Sequence, residues 1–239
     1  MRHLFVSDLH LDSSAPATIE AFLRFLEGEA RGATSLHILG DLFEIWIGDD
    51  DPDPARDRVC RALRALSDSG VALYVIQGNR DFLFGEAFEQ RIGGTLLSDP
   101  AVVTLFSERV LLTHGDLLCT DDTAYQELRT TVRDRGFRDR VLKLPIDTRQ
   151  MLAHAARAGS KAYTRATAAT IMDVTPSAVI AAFEASGTRK MIHGHTHRPA
   201  EHHHATRNGE AERVVLAAWD EAEEFLEVTA DGWRRRTVN

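Results

Sequence analysis

Five short apolar runs in this chain each end in a small group of aspartate, asparagine or histidine residues, and that recurring juxtaposition limits the folds open to it. Leu4, Phe5 and Val6 lead to Asp8-Leu9-His10, and Leu36, His37, Ile38 and Leu39 lead to Gly40-Asp41. Residues 71–76 lead to Gly78-Asn79, residues 110–112 to His114-Gly115-Asp116, and Met191 and Ile192 to His193-Gly194-His195-Thr196-His197. Runs this short have strand length, and an unbroken apolar run is what a strand covered on both faces looks like. Between the first three runs the period changes. Ile19, Phe22, Leu23 and Leu26 fall at helix spacing, and residues 55–69 read as a helix through Val59, Leu63 and Leu66 that Gly70 stops. This β-α-β-α-β rhythm predicts an α/β fold with strands buried between helices and right-handed crossovers. Open α/β sheets build their sites at the carboxyl ends of strands, so five distant segments are expected to meet at one point.

The second half reads differently. Residues 102–105 and 110–112 are strand candidates, and a largely helical stretch runs from about 120 to 186. Strand content returns at Met191 and Ile192, at 214–217, at 225–228 and around Trp233. The expectation is one domain over residues 1–239, with a helical lobe inserted at about 120–170; 239 residues suffice for that. The net charge of −8 is unevenly spread. Between Arg129 and Arg165 ten Lys or Arg stand against three Asp, a surplus of seven, so the remainder carries −15. Two readings stand for that segment: a surface for an anionic partner, or a solvated helix face. No stretch approaches the ~18 apolar residues that span a bilayer. Met1-Arg2-His3 passes directly into a strand pattern, so no signal peptide is expected. Cys60 and Cys119 make no disulfide framework, which fits a cytoplasmic protein.

The polar groups have the chemistry of metal ligands. Asp8 and His10 are two apart, so in extended chain they point the same way; His195 and His197 do likewise, with His193 opposite. Asp8, His10, Asp41, Asn79, His114, His195 and His197 make seven candidate ligands. Seven is too many for one ion and suits two, with Asp41 the natural bridge. Two of the seven are anionic, so two divalent ions leave the site at about +2, a charge that attracts phosphate or pyrophosphate. Oxygen and nitrogen donors without thiolate suit manganese, iron or zinc. His3, His37 and His154 read as structural histidines, and His202-His203-His204, following Pro199, as an incidental loop run.

All five motifs, in this order and at strand ends, resemble the calcineurin-like metallophosphoesterase superfamily. The resemblance implies a β-sandwich flanked by helices, and two metals activating a bridging water or hydroxide that attacks phosphorus in line. The residue after Asn79 narrows the chemistry. Many members of the superfamily carry histidine there to protonate an alkoxide leaving group, whereas this chain has Arg80. Arginine keeps its proton and cannot be a general acid, but it clamps phosphate bidentately. A phosphate monoester leaving group, with a second pKa of about 6, needs no acid. Arg80 therefore favours pyrophosphate cleavage; the alternative is a surface arginine paired with Asp81.

Longer stretches carry a narrower resemblance. They are Gly40-Asp41-Leu42-Phe43-Glu44-Ile45-Trp46-Ile47-Gly48-Asp49-Asp50-Asp51, Gly78-Asn79-Arg80-Asp81-Phe82-Leu83, His114-Gly115-Asp116-Leu117-Leu118-Cys119-Thr120-Asp121-Asp122, and His193-Gly194-His195-Thr196-His197-Arg198-Pro199. Together they resemble the UDP-2,3-diacylglucosamine pyrophosphohydrolases of lipid A biosynthesis, nearly end to end. The resemblance implies cleavage to UMP and 2,3-diacylglucosamine 1-phosphate, two Mn2+ ions, and a peripheral place on the cytoplasmic face of the inner membrane. It implies catalytic roles for Asn79, Arg80 and His114, and substrate contacts from Asn79, Arg80, Asp122, Ser160, Thr164, Thr167 and His195. At 164 and 167 the family often has asparagine and lysine, where this chain has threonine. Residues 160, 164 and 167 share a helix face by spacing; they line a polar groove or are plain surface residues, and Arg157 and Arg165 are candidates for the missing positive charge. The lobe mixes its cations with Phe137, Val141, Leu142, Leu144, Ile146, Met151 and Leu152, a composition that suits acyl chains and an anionic membrane surface. The competing readings are hydrolysis of another nucleotide pyrophosphate or phosphodiester, a non-catalytic scaffold, and a nuclease. The complete ligand set disfavours the scaffold, and the acidic body without an aromatic platform disfavours nucleic acid. No obligate protein partner is evident. Asp116 and His10 both remain candidates for a general base.

Overall fold

The computed structural model describes residues 1–166, 171–219 and 221–238, with the side chains of 164–166 also outside the description. The first three apolar runs are β1 (Arg2–Val6), β2 (Ser35–Leu39) and β3 (Ala72–Ile76), adjacent and parallel. The helical patterns between them are α1 (Pro16–Glu27) and α2 (Pro54–Asp68). Proline opens both helices, where its missing N–H costs nothing. At α2 the Asp53 carboxylate accepts the N–H groups of Ala55 and Arg56 at 2.8 and 2.9 Å, a cap worth about 1 kcal/mol.

The sheet extends on one side through β4 (Thr95–Leu97) and on the other through β10 (Glu224–Thr229) and β11 (Gly232–Thr237), in the order β11-β10-β1-β2-β3-β4. A second sheet contains β5 (Ala101–Leu105), β6 (Glu108–Leu112), β7 (Lys190–His193), β8 (Ala200–Thr206) and β9 (Gly209–Val215), in the order β5-β6-β7-β9-β8. Strand alternation sorts the apolar side chains into layers. Leu4, Val6, Leu36, Ile38, Leu73 and Val75 face α1 and α2 with Phe22, Phe25, Val59 and Leu63. Phe5, Leu39 and Ile76 turn the other way and meet Val110, Leu112, Ile192 and Val214 of the second sheet. Leu111, Met191 and Ala211 pack on Val179 and Phe183 of α7 (Pro176–Ser186). The result is a two-sheet α/β sandwich flanked by helices, the expected class.

Two elements go beyond the sequence reading and one reading needs correction. β4 and the short helix α3 (Glu86–Ile92) were not anticipated; the three residues of β4 carry too little pattern to announce a strand. His202, His203 and His204 form part of β8 and pair with Arg213, Glu212 and Ala211 of β9, so they are not a loop. Strand pairing overrides the turn signal of Pro199.

Between β6 and α7 run α4 (Thr123–Arg133), α5 (Arg135–Leu142) and α6 (Ile146–Ala166). Neither α4 nor α5 has a fully buried side chain. These helices meet the body mainly through arginines. Arg133 donates to the carbonyls of Gln77 and Gly78, Arg138 to Phe84 O, and Arg149 to Ile47 O and bidentately to Asp50. Arg129 pairs with Asp99 and Asp116, and Arg157 with Glu44. Half of the basic segment therefore turns inward, and Arg135, Arg140, Lys143 and Lys161 are exposed. Among the described residues no helix is long and apolar enough to cross a membrane.

Candidate metal centre

The loops leaving β1, β2, β3, β6 and β7 bring the seven candidate ligands together. Asp8, His10 and His197 offer ligand atoms within 4.8 Å of one another, and so do Asp8, Asp41 and His114. Asp8 belongs to both triads, and Asp41 Oδ2 also lies 3.9 Å from His10 Nε2, so either carboxylate reaches both positions. Asn79 Oδ1 lies 3.0 Å from His114 Nε2 and 3.1 Å from His195 Nδ1, which draws the remaining two residues in.

Convergence is achieved in a way that spacing did not suggest. Asp8 and His10 lie beyond the end of β1 and are not extended; their φ angles are +52° and +48°. Asp41 (+53°), His195 (+68°) and His197 (+52°) are left-handed too. Side chains disfavour that region, and such strain persists where surrounding structure overdetermines it, commonly at functional sites. Here the loops turn sharply at the sheet edge, and backbone bonds hold them: Asp8 N donates to Gly40 O at 3.1 Å and His10 N to Asp41 O at 3.0 Å. Two glycines are dictated by the same crowding. A Cβ on Gly40 (φ +92°) would lie 2.5 Å from His114 Nδ1, and one on Gly194 would collide with Ser7 and Asp8.

The donor set fits divalent cations. Among the described residues the buried Asp8 Oδ1 has no hydrogen-bond partner, and His197 Nε2 stands 3.5 Å from it. The Nε2 atoms of His10 and His197 face each other at 3.4 Å, an arrangement that a shared cation or proton must mediate. Outer contacts aim the ligands. His114 Nδ1 bonds Leu39 O at 2.9 Å, leaving Nε2 for the centre, and His10 Nδ1 lies 3.1 Å from Glu44 Oε2. Asp8 Oδ2 accepts Ser7 Oγ–H at 2.5 Å and the His195 N–H at 2.8 Å, and Asp41 Oδ1 accepts the Arg80 N–H at 2.8 Å. Burial raises the Asp8 carboxyl, but His197, His114 and His10 outweigh it and hold Asp8 well below the usual range. Burial depresses His114, and Asp41, Asp8 and Asp116 overcome it, raising the ring to about 9. His195 goes down to about 4 through burial and the neighbouring His114.

Arg80 stands at the mouth. Its guanidinium donates to Ser160 Oγ of α6 at 3.3 Å, and its buried Nε has no hydrogen-bond partner among the described residues. It is not paired with Asp81. That carboxyl is fully buried, accepts the N–H groups of Gly78 and Leu42 at 2.7 Å each, and is pushed up to about 7 by burial and Asp41. Asp122 caps α4 through Tyr125 N at 3.0 Å and receives Tyr163 O–H from α6 at 2.6 Å. Thr167, and the side chains of Thr164 and Arg165, lie outside the described residues. His193 faces away as expected, donating to Gly194 O at 2.8 Å and accepting from Arg213 at 2.9 Å. His37 is structural, stacked between Phe5 and Tyr74.

Sequence patterns did not reveal the supporting residues. Glu44 behind His10 is held down at about 2, burial opposing its charge and His10 and Arg157 favouring it. Tyr125 donates to Asp116 Oδ2 at 2.8 Å and packs its ring 5.8 Å from His195. Local pattern does not announce these contacts, because Glu44 meets His10 and Tyr125 meets His195 across elements far apart in sequence.

A sandwich whose strand ends gather aspartate, asparagine and histidine around room for two cations is the architecture of a metal-dependent phosphoesterase. The chain belongs to the calcineurin-like phosphoesterase family, whose model matches residues 1–199, and that family implies divalent metal ions. It is similar over its whole length to proteins named UDP-2,3-diacylglucosamine hydrolase. The one from Stenotrophomonas maltophilia (strain K279a) is 49% identical over 245 residues, covering 100% of this chain and 99% of that protein. The one from Enterobacter sp. (strain 638) is 49% identical over 233 residues, covering 97% of each. The one from Escherichia coli O157:H7 (strain EC4115 / EHEC) is 48% identical over 231 residues, covering 97% of this chain and 96% of that protein.

Proposed function

We propose that this protein hydrolyses the pyrophosphate bond of UDP-2,3-diacylglucosamine, releasing UMP and 2,3-diacylglucosamine 1-phosphate in lipid A biosynthesis. The observation that carries the reading is the 49% identity that runs end to end, helices α4–α6 included. Asp8, His10, Asp41, Asn79, His114, His195 and His197 would hold two Mn2+ ions. When bound, such ions activate water as the nucleophile and neutralise charge on the phosphate oxygens. The protein's own groups do the rest. Arg80 offers a buried N–H, unpaired among the described residues, to a phosphate oxygen and supplies no proton, which a phosphate leaving group does not need. Asn79 and His195 lie beside it to orient the diphosphate, with His114 held by Leu39 O. Ser160 brings α6 to the same phosphate, and Asp122 ties α4 to α6 beside the site.

On this reading the chain is one metallophosphoesterase domain in which about residues 120–170 form an inserted helical cap over the acyl chains. Leu128, Met151, Leu152 and Tyr163 are exposed on that cap among the outward cations, a surface suited to the anionic cytoplasmic face of the inner membrane. The test is UMP release from UDP-2,3-diacylglucosamine in detergent after chelation, with and without restored Mn2+. Release that requires the metal is the expected result. Metal-dependent cleavage of a soluble nucleotide pyrophosphate or phosphodiester, with none of the acylated substrate, would keep the centre and overturn the substrate.

A further inference from the structure

A metal-binding histidine presents one nitrogen to the ion, and the partner of the other nitrogen fixes its tautomer and aim. For His114 that partner is Leu39 O, the backbone of a buried strand. For His10 the facing group is the Glu44 carboxylate, whose Oε2 lies 3.1 Å from Nδ1 as an ion-pair contact, on the irregular loop that follows Asp41. The second oxygen of Glu44 is taken by Arg157 Nε from α6. The aim of one ligand thus depends on a contact made by the helical segment. Arg149 of the same helix grips the same loop further on, at Ile47 O and Asp50, without touching any ligand's partner.

We infer that Glu44 is a positioning residue for His10, and that the Arg157–Glu44–His10 chain couples seating of α6 to metal affinity. Coupling of this kind is reciprocal: metal binding seats α6 by the factor by which seating strengthens metal binding. The inference rests on the metal-centre reading and not on the substrate.

The experiment uses the full chain and Mn2+ alone. Calorimetric titration reads affinity, and hydrogen exchange of α6, with and without the ion, reads seating. Glu44→Gln is expected to weaken the weaker-bound ion on the order of 10-fold or more, and Arg157→Ala about 5-fold. Mn2+ slows exchange in α6 of the wild type and not of Arg157→Ala, and Arg157→Lys restores most of both effects. Arg149→Ala, which loosens α6 without touching Glu44, loses less affinity than Arg157→Ala. Wild-type behaviour of Arg157→Ala in both readouts overturns the coupling, as does an equal loss in Arg149→Ala. A wild-type protein that binds no divalent ion overturns the metal centre itself, and the coupling with it.

Discussion

At the scale of single residues, the centre depends on conformations its side chains disfavour. Five of the seven candidate ligands have left-handed φ, and neighbouring backbone bonds hold them there. Arg80 carries the most specific chemistry. Arg80→Ala should lower kcat for UMP release on the order of 100-fold, the loss typical of removing one buried oxyanion donor. Arg80→His should weaken pyrophosphate cleavage or create phosphodiester cleavage; unchanged pyrophosphate cleavage with no new phosphodiester activity would contradict the reading of Arg80. The buried histidine His37 makes a separate prediction about pH. Burial and His3 push it down to about 3, against the ordinary 6.5. Between those values the unfolded chain takes a proton that the folded chain refuses, so stability falls as pH falls. In His37→Phe the dependence of unfolding free energy on pH between 6 and 4 should be shallower by about one proton, measured by urea denaturation.

At the scale of elements, parallel strands deliver the ligands and tight turns beyond their ends bunch them. Gly40 allows β2 and β6 to close up, because any side chain there would strike His114 and the Gly78 backbone. Gly40→Ala should destabilise the fold by about 3 kcal/mol, combining a left-handed alanine with overpacking, and a urea melt reads it. Asp122 works on two elements, capping α4 and receiving Tyr163 from α6. Asp122→Asn, which keeps an acceptor for the cap, should preserve the melting temperature far better than Asp122→Ala, for which about 1–2 kcal/mol is expected. A role in substrate binding would raise KM in both variants; a KM rise confined to Asp122→Ala would assign the residue to structure alone.

At the scale of the molecule, an acidic body carries a basic helical segment whose charges are divided. Four arginines clamp the loops that hold Asp41 and Asn79 and Arg129 grips Asp116 beside His114, while the outward cations and exposed apolar residues remain on the surface. If that surface meets lipid, Met151→Asp with Leu152→Asp should reduce sedimentation with anionic vesicles about 10-fold and leave Mn2+ affinity unchanged. Vesicle binding equal to the wild type would remove the membrane role.

The sequence alone determined the strands and helices of the first sheet, because unbroken apolar runs and a 3.6-residue period need no partner to be read, whereas the second sheet against that layer was what the family resemblance implied. It also determined the ligand types, since Asp8, Asp41, Asn79, His114 and His195 stand where apolar runs stop. The tertiary structure decided which atoms face inward. Asp8 and His10 converge through left-handed turns and not through extended chain, β8 formed where β9 offered a partner, and Asp81 went to buried N–H groups and not to Arg80. It decided too that half of the basic segment points at the body, and that Glu44 stands behind His10. These outcomes rest on contacts between residues far apart along the chain, for which local periodicity carries no signal, and packing and hydrogen-bond satisfaction choose among them.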